Sequence, residues 1–303
     1  MPSPLRPVSI HDNTGTQIRA QHLIGVDESG NEASTDGICV CVAVRTQRSG
    51  DLDLVRSLIQ SNLKPFKHKS SSLVRYEDVC LDERTNRVED FIDSLEQTSV
   101  TWAAVACVEE VTIESQAAAT SMAAKKAVTN AIGQDIFSGK SDPAALLHDG
   151  TQDQYSDYEK HLRKQISADF DNSFQYEICP VHLTFIQDAD RTYPQSNAAD
   201  YIAGYIREKL DNDHTIGDLP FENIHRLDPS WIRTAGESVP FYQLAEFDPI
   251  REDRLRSRIL SWLIGKGIPQ DPEPTTQDPY RDIVTQITDE SVRKYLLTEV
   301  ETE

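Results

Sequence analysis

The segment Gly37-Ile-Cys-Val-Cys-Val-Ala-Val44 constrains the fold more than any other stretch of the chain. It is nearly all apolar and rich in β-branched residues, so neither face of such a strand can be left to water. It predicts a central strand covered by helices on both sides. Further strands are expected at 22–28, 100–108, 144–148 and 176–186, the last interrupted by Pro180 and therefore placed at an edge. Helical spacing separates them. Leu52, Val55, Leu58, Ile59 and Leu63 mark a helix over 51–63, and Val88, Phe91, Ile92 and Leu95 mark one over 85–97. Residues 113–132 are alanine-rich and strongly helix-forming. Amphipathic helices are expected at 153–170 and 195–210. Strands and helices interleave over 22–210, which defines an α/β fold with a helix-covered sheet.

The flanks are less regular. Residues 1–20 carry Pro, Asn and Gln without a period and are expected to form a flexible arm. Beyond 211 the pattern loosens, with helical spacing around 250–264. A Pro-rich linker at 269–279 precedes a terminal helix at about 280–300. The expected division is therefore an arm at 1–20, a main domain at 21–212, an extension at 213–268, and a linker with terminal helix at 269–303.

Composition excludes several functions. In 303 residues no apolar run approaches the roughly 18–20 that a membrane span needs. The N-terminus lacks an apolar signal region, so a soluble, cytoplasmic protein is expected. Five cysteines without a Cys-x-x-Cys pair read as small buried hydrophobes in a reduced compartment rather than a zinc site. The net charge of −20 is spread along the chain, as on a halophile's surface or on a mesophilic acidic scaffold protein. Such acidity weakens a nucleic-acid reading at low salt, but screening lengths of about 3 Å in molar salt remove most of the repulsion. A Gly-x-Ser-x-Gly elbow and a phosphate-binding Gly-rich loop are both missing, which argues against Ser-based hydrolysis and ATP use.

The chemistry concentrates where strands end in acids. Gly25-Val-Asp-Glu-Ser-Gly30 follows the apolar His22-Leu23-Ile24 and puts Asp27 and Glu28 at a strand end. Asp149 follows Ala144–His148, and Gln187-Asp-Ala-Asp190 follows another strand. Asp200 lies on the next helix. Each has a bland alternative: Asp149-Gly150 is a hairpin-turn signal, Asp188 and Asp190 suit a solvated loop, and Asp200 suits a polar helix position. His148 is either a proton shuttle or a structural residue. Taken together, carboxylates converging on one sheet edge repel unless cations neutralise them. Oxygen-only ligands favour Mg²⁺ or Mn²⁺, and two such ions about 3.5–4 Å apart support phosphodiester cleavage.

These motifs resemble a known family in sequence order. Gly25–Gly30 is similar to the Gly-(Ile/Val)-Asp-Glu-Ala-Gly signature of type 2 ribonuclease H (ribonuclease HII). Residues 108–128 resemble that family's strand exit and alanine-rich helix. Leu147-His-Asp-Gly150 resembles its Val-Asp-Gly strand end. Ala189-Asp-Arg-Thr-Tyr-Pro-Gln-Ser-Asn-Ala-Ala-Asp-Tyr-Ile-Ala-Gly204 resembles its Ala-Asp-Ala-Lys-Tyr-Pro…Ala-Ala-Ser segment. Ser196–Gly204 also resembles the late helix of an uncharacterised RNase H-like family that opens with Asp-Glu-Ser-Gly.

The resemblance implies an RNase H-like mixed sheet flanked by helices over 21–212, with a mostly helical or irregular C-terminal extension. It implies catalytic acids at Asp27, Glu28, Asp149 and Asp190, with Asp200 as a further metal ligand for Mg²⁺ or Mn²⁺ in a two-metal site. The implied reaction is metal-dependent cleavage of RNA in RNA–DNA hybrids, with RNA or DNA as other substrates. Lys67, Lys69, Arg191 and Tyr193 are the expected nucleic-acid contacts. Two departures stand out: Asn31-Glu32 replaces the family's Arg-Gly, and Asp200 replaces its serine. A catalytically inactive nucleic-acid- or protein-binding module of the same fold is the alternative.

Overall fold

The computed structural model describes residues 8–11, 17–20, 22–30, 38–47, 50–63, 75–79, 81–108, 113–133, 144–149, 181–186, 189–212, 214–228 and 246–247. The strands are β1 (Val8–His11), β2 (Gln17–Ala20), β3 (His22–Ser29), β4 (Cys39–Gln47), β5 (Thr101–Cys107), β6 (Ala144–Asp149), β7 (Val181–Ile186), β8 (Ile224–Arg226) and β9 (Glu246–Phe247). The helices are α1 (Gly50–Gln60), α2 (Leu81–Leu95), α3 (Ile113–Ile132) and α4 (Pro194–Asp211), with a single helical turn at Ala189–Thr192. The expected helices at 153–170, 250–264 and 280–300 lie outside the described residues.

A six-stranded sheet in the order β7-β6-β3-β4-β5-β8 organises the chain. β3, β4 and β5 run antiparallel to their neighbours in turn, while β6 and β7 run parallel to β3. This is the expected α/β architecture: a mixed sheet flanked by helices. β4 is central, as the apolar run required, and the strand expected at 176–186, described from Val181 onward, takes an edge. β6 pairs in parallel with both neighbours, so Asp149 ends a crossover strand and the hairpin-turn reading of Asp149-Gly150 is excluded.

Alternation along the strands sorts the core into two layers. Val40, Val42, Val44, Ala104 and Ala106 face α1, α2 and α4, with Leu54, Leu58, Phe91, Ile92, Ala198, Ile202 and Ile206 packed against them. Ile24, Val26, Cys41, Ala43, Val105, Leu146 and Leu183 face α3 on the other side. The alanines of α3 let its axis come close to β4 and β5. Ala119, Ala123, Ala124 and Ala127 are all buried there, where longer side chains would hold the helix off. Arg45, 3% exposed, lies across the C-terminal end of α3 and donates to the Ile132 carbonyl at 3.1 Å. A cation at that end satisfies an orphan carbonyl and complements the helix dipole.

α4 crosses β3 on the opposite face, and the crossing is set by Gly25. A Cβ at Gly25 would overlap the backbone of Gln195 and Ser196. Gln195 then donates to Thr46 Oγ1 at 2.9 Å, and Ser196 to the Leu147 carbonyl at 3.4 Å, tying the start of α4 to β4 and β6. Pro194 at the first turn fits a helix start, where no N–H is needed.

Regular structure is described on both sides of the expected 21–212 unit. Residues 8–11 and 17–20 pair as an antiparallel hairpin with β9 on its outer side, so the stretch 1–20 carries strands rather than only a loose arm. The main unit also continues past 212. β8 adds to the sheet edge beside β5, Leu219, Ile224 and Leu227 are buried, and Phe221 meets the Trp102 ring edge-on at 6.0 Å.

Candidate active site

The strand exits of β3 and β6 stand side by side, because Val26 pairs with His148 in parallel register. One residue further along each strand are Asp27 and Asp149. Asp27 falls on the same face as Gly25, and Asp149 on the same face as Leu147, which is the α4 face. The chain returns from β7 into the helical turn at 189–192, where the Ala189 N–H donates to Asp149 Oδ1 at 3.1 Å. Asp190 follows directly and is 1% exposed. Asp200, two turns into α4, accepts from the Tyr76 N–H at 2.7 Å through Oδ2. Four expected site residues, Asp27, Asp149, Asp190 and Asp200, are therefore gathered at one end of the sheet on one face.

Glu28 is separated from them. Adjacent strand residues point to opposite faces, so Glu28 turns to the α3 side, where its carboxylate pairs with His148 Nε2 at 3.2 Å. His148 is fully buried, and its Nδ1 lies 2.7 Å from the Asp149 carbonyl. Both ring nitrogens face acceptors, an arrangement that suits the doubly protonated ring. Burial pushes the imidazole pKa down, but Glu28 and the Asp149 carbonyl outweigh it and the net shift is upward. Both ring nitrogens are engaged, so His148 is held in place by Glu28 and the Asp149 carbonyl.

Crowding of the acids shows in their proton affinities. Asp27 is raised well above the carboxylate range by burial first, then by Asp200, Glu28, Asp190 and Asp149. Asp149 is raised by burial and by Asp190, against the Ala189 N–H and Arg75. Burial raises Asp200 from 3.8 to about 7, opposed by the Tyr76 N–H and assisted by Asp190. The sign of the linkage follows. The folded chain binds these protons more tightly than the unfolded one, so their stabilising effect is complete below the ordinary value and is lost as pH rises toward 7. In chelator, the melting temperature is expected to fall between about pH 4 and pH 7. Asp200→Asn, which keeps an acceptor for Tyr76, should flatten that fall. Thermal unfolding across the pH range measures both.

One cation enters the cluster. Arg75, just before the 3-10 turn Tyr76–Asp78, pairs with Asp190 through Nε and lies 3.4 Å from Asp149 through Nη2. It is not among the acids and contacts expected from the sequence, and no local pattern marks it. Among the described residues, no three His, Cys, Asp or Glu side chains stand close enough to hold a metal ion as they are. The acids nevertheless fit a hard divalent cation. They offer oxygen donors only, and the buried Asp190 Oδ1 has no hydrogen-bond partner among the described residues.

Other expected contacts fall elsewhere. Tyr193 is 3% exposed and forms the joint between the 189–192 turn and α4, its carbonyl accepting from the Asn197 N–H at 2.9 Å. A ring buried there cannot stack on a base, so the expected nucleic-acid role of Tyr193 is corrected to packing. Lys67, Lys69, Asp188, Asn31 and Glu32 lie outside the described residues, as does the side chain of Arg191. Cys41 and Cys107 are buried, as expected of small hydrophobes. No described helix is long and apolar enough to cross a membrane.

Comparison with known proteins gives limited likeness. No protein-family model matches the chain, and no curated protein matches it. Among solved structures, the chain is similar to ribonuclease HII in the PCNA:RNase HII complex from Archaeoglobus fulgidus, at 14% identity and a TM-score of 0.36, covering 68% of this chain and 83% of that one. It is also similar to the ribonuclease H2 from Pyrococcus horikoshii OT3, at 12% identity and a TM-score of 0.37, covering 92% of this chain and 99% of that one.

Proposed function

We propose that the chain is a divalent-metal-dependent nuclease of the RNase H-like class, with RNA–DNA hybrids as its first candidate substrate. The observation that carries this reading is the convergence of Asp27, Asp149, Asp190 and Asp200 at one sheet end. The buried Asp190 Oδ1 has no hydrogen-bond partner there among the described residues. A cluster of this kind is unfavourable in itself, as the raised proton affinities record, and is a reason to look for function. The resemblance of Gly25–Gly30 and Ala189–Gly204 to ribonuclease HII supports the same assignment.

Asp27, Asp149 and Asp190 would hold Mg²⁺ or Mn²⁺, with Glu28 and Asp200 at the margins. Bound ions would supply an activated water and charge stabilisation at the leaving oxygen. The protein's own part is positional. The Ala189 N–H fixes the Asp149 carboxylate, the Tyr76 N–H fixes Asp200, and the His148 ring holds Glu28 at the strand exit. Replacing the partner of a metal-binding carboxylate typically costs about 10–100-fold in affinity or activity. His148→Asn, which also frees the Asp149 carbonyl that Nδ1 holds at 2.7 Å, is expected to raise the Mn²⁺ concentration for half-maximal cleavage by about tenfold, the lower end of that range, because Glu28 itself faces away from the cluster. A titration of rate against Mn²⁺ separates this from simple loss of fold.

A second reading has an observation of its own. Arg75 across Asp149 and Asp190 partly neutralises the site without any ion, as a catalytically inactive binding module of the same fold would require. Incubation with labelled RNA–DNA hybrid, RNA and DNA in Mg²⁺ or Mn²⁺ at low and molar potassium chloride decides between them. The nuclease reading expects metal-dependent cleavage leaving 3′-hydroxyl and 5′-phosphate ends. Binding of any of these substrates without cleavage supports the inactive module.

A further inference from the structure

We propose that Arg75 is a resident counter-ion of the acid cluster, holding in the metal-free protein the carboxylate oxygens that divalent ions take, so that metal binding and release of Arg75 are one event. This rests on the reading of the cluster as a metal site, and it adds a built-in competitor to it.

The placement of Arg75 is structural and not incidental. Its guanidinium spans two acids that come from different elements, Asp149 at the end of β6 and Asp190 in the turn after β7, and approaches Glu77 at 3.9 Å. The turn that carries it is docked on α4 by its neighbour. Tyr76 donates its N–H to Asp200, and its hydroxyl donates to Glu208 Oε2 at 2.7 Å. The Tyr76 ring lies over Gly204, where a Cβ would overlap the ring atoms. Arg84 lies over that ring at 4.6 Å from its centroid and pairs with Glu208. The same helix that supplies Asp200 thus holds the turn that delivers Arg75.

Charge and space set the guanidinium against an ion at these oxygens. Asp27, Asp149, Asp190 and Asp200 carry a formal −4 only when all are ionised, and among the described side chains Arg75 sets +1 against two of them. Two divalent ions would balance the four acids without it. A Mg²⁺-sized ion needs its oxygens at about 2.0–2.1 Å. Asp149 Oδ2 and Asp190 Oδ2 both already face the guanidinium, so an ion that takes these two oxygens has to displace it. Arg is suited to the role because its planar fork meets carboxylates in defined geometry and its charge does not titrate.

The test is calorimetric titration of Mn²⁺ into the wild-type protein, Arg75→Lys and Arg75→Met, paired with thermal unfolding in EDTA and in saturating Mn²⁺. Removing the competitor is expected to tighten Mn²⁺ binding about tenfold in Arg75→Met, equivalent to about 1.4 kcal/mol, with Arg75→Lys between it and wild type. Arg75→Met should melt lower than wild type in EDTA, and the gap should close in Mn²⁺, a recovery that a purely structural role would not give. Wild type that binds Mn²⁺ while Arg75→Met binds it equally or more weakly overturns the proposal and leaves the metal site standing. Failure of all three proteins to bind overturns both. If Arg75→Met does not fold, Arg75→Lys decides: tighter binding than wild type supports the exchange, and equal or weaker binding overturns it.

Discussion

Asp27→Asn is expected to abolish metal-dependent cleavage, by a factor on the order of 10³ or more, while leaving the chelated protein more stable than wild type. The loss should exceed the roughly 10–100-fold expected when only a ligand's hydrogen-bond partner is removed, because Asp27 is itself the donor. The gain in stability has a separate cause. Asp27 sits among Asp200, Glu28, Asp190 and Asp149, and its ionised form is disfavoured by burial and by all four. A neutral amide removes those repulsions and can still accept from the Glu28 N–H, now 3.0 Å from Asp27 Oδ1. At pH 8 in EDTA the melting temperature should rise by about 2–4 °C for each kcal/mol of repulsion removed. A protein that loses activity and gains stability from one isosteric change has been maintaining an unfavourable charge for function. Full activity in Asp27→Asn, measured on the substrate that wild type cleaves, would remove Asp27 from the site.

Gly25→Ala is the stability counterpart. The added methyl meets the main chain of Gln195 and Ser196 and not a movable side-chain end, so β3 and α4 must separate. Overpacking of a tight core costs about 1–3 kcal/mol, and backbone contacts put this site at or above the upper end. A cost of about 3 kcal/mol corresponds to a fall of about 6–12 °C in melting temperature for a chain of this size. Gly217→Ala, whose nearest neighbour would be the Thr215 hydroxyl at 3.8 Å, is the matched control and should change little. Because Asp27 lies two residues beyond Gly25 on the same face, the displaced strand should also weaken Mn²⁺ binding. Differential scanning calorimetry of the two variants checks the packing claim, and an unchanged Gly25→Ala would refute it.

Patterns that are local in sequence were legible, and those that depend on distant packing were not. β4 was readable because a nearly all-apolar, β-branched run has no other place in a soluble fold. α3 was readable from its alanines, which both favour helix and permit close approach to the sheet. The edge position of β7 followed from Pro180. The acids were readable as strand-end residues, and the strand alternation that separates Asp27 from Glu28 was available in the sequence and went unused. The same holds for β1 and β2, where Val8-Ser-Ile-His11 alternates apolar and polar positions. Arg75 had no such signal. Its meaning comes from a turn held on α4 by Tyr76 over Gly204, a contact between segments more than a hundred residues apart. β8 was hidden for a like reason: three residues carry little periodicity, and only its partner β5 makes it a strand.

The central claim, a metal centre built from Asp27, Asp149 and Asp190, is tested most directly by crystallography of the protein grown in millimolar Mn²⁺, with anomalous scattering collected at the manganese edge. The expected result is anomalous density bonded to the Asp190 and Asp149 carboxylates and shared with Asp27, with the Arg75 guanidinium withdrawn from both aspartates. Anomalous maps without density there, and Arg75 still lying across Asp149 and Asp190, would contradict it.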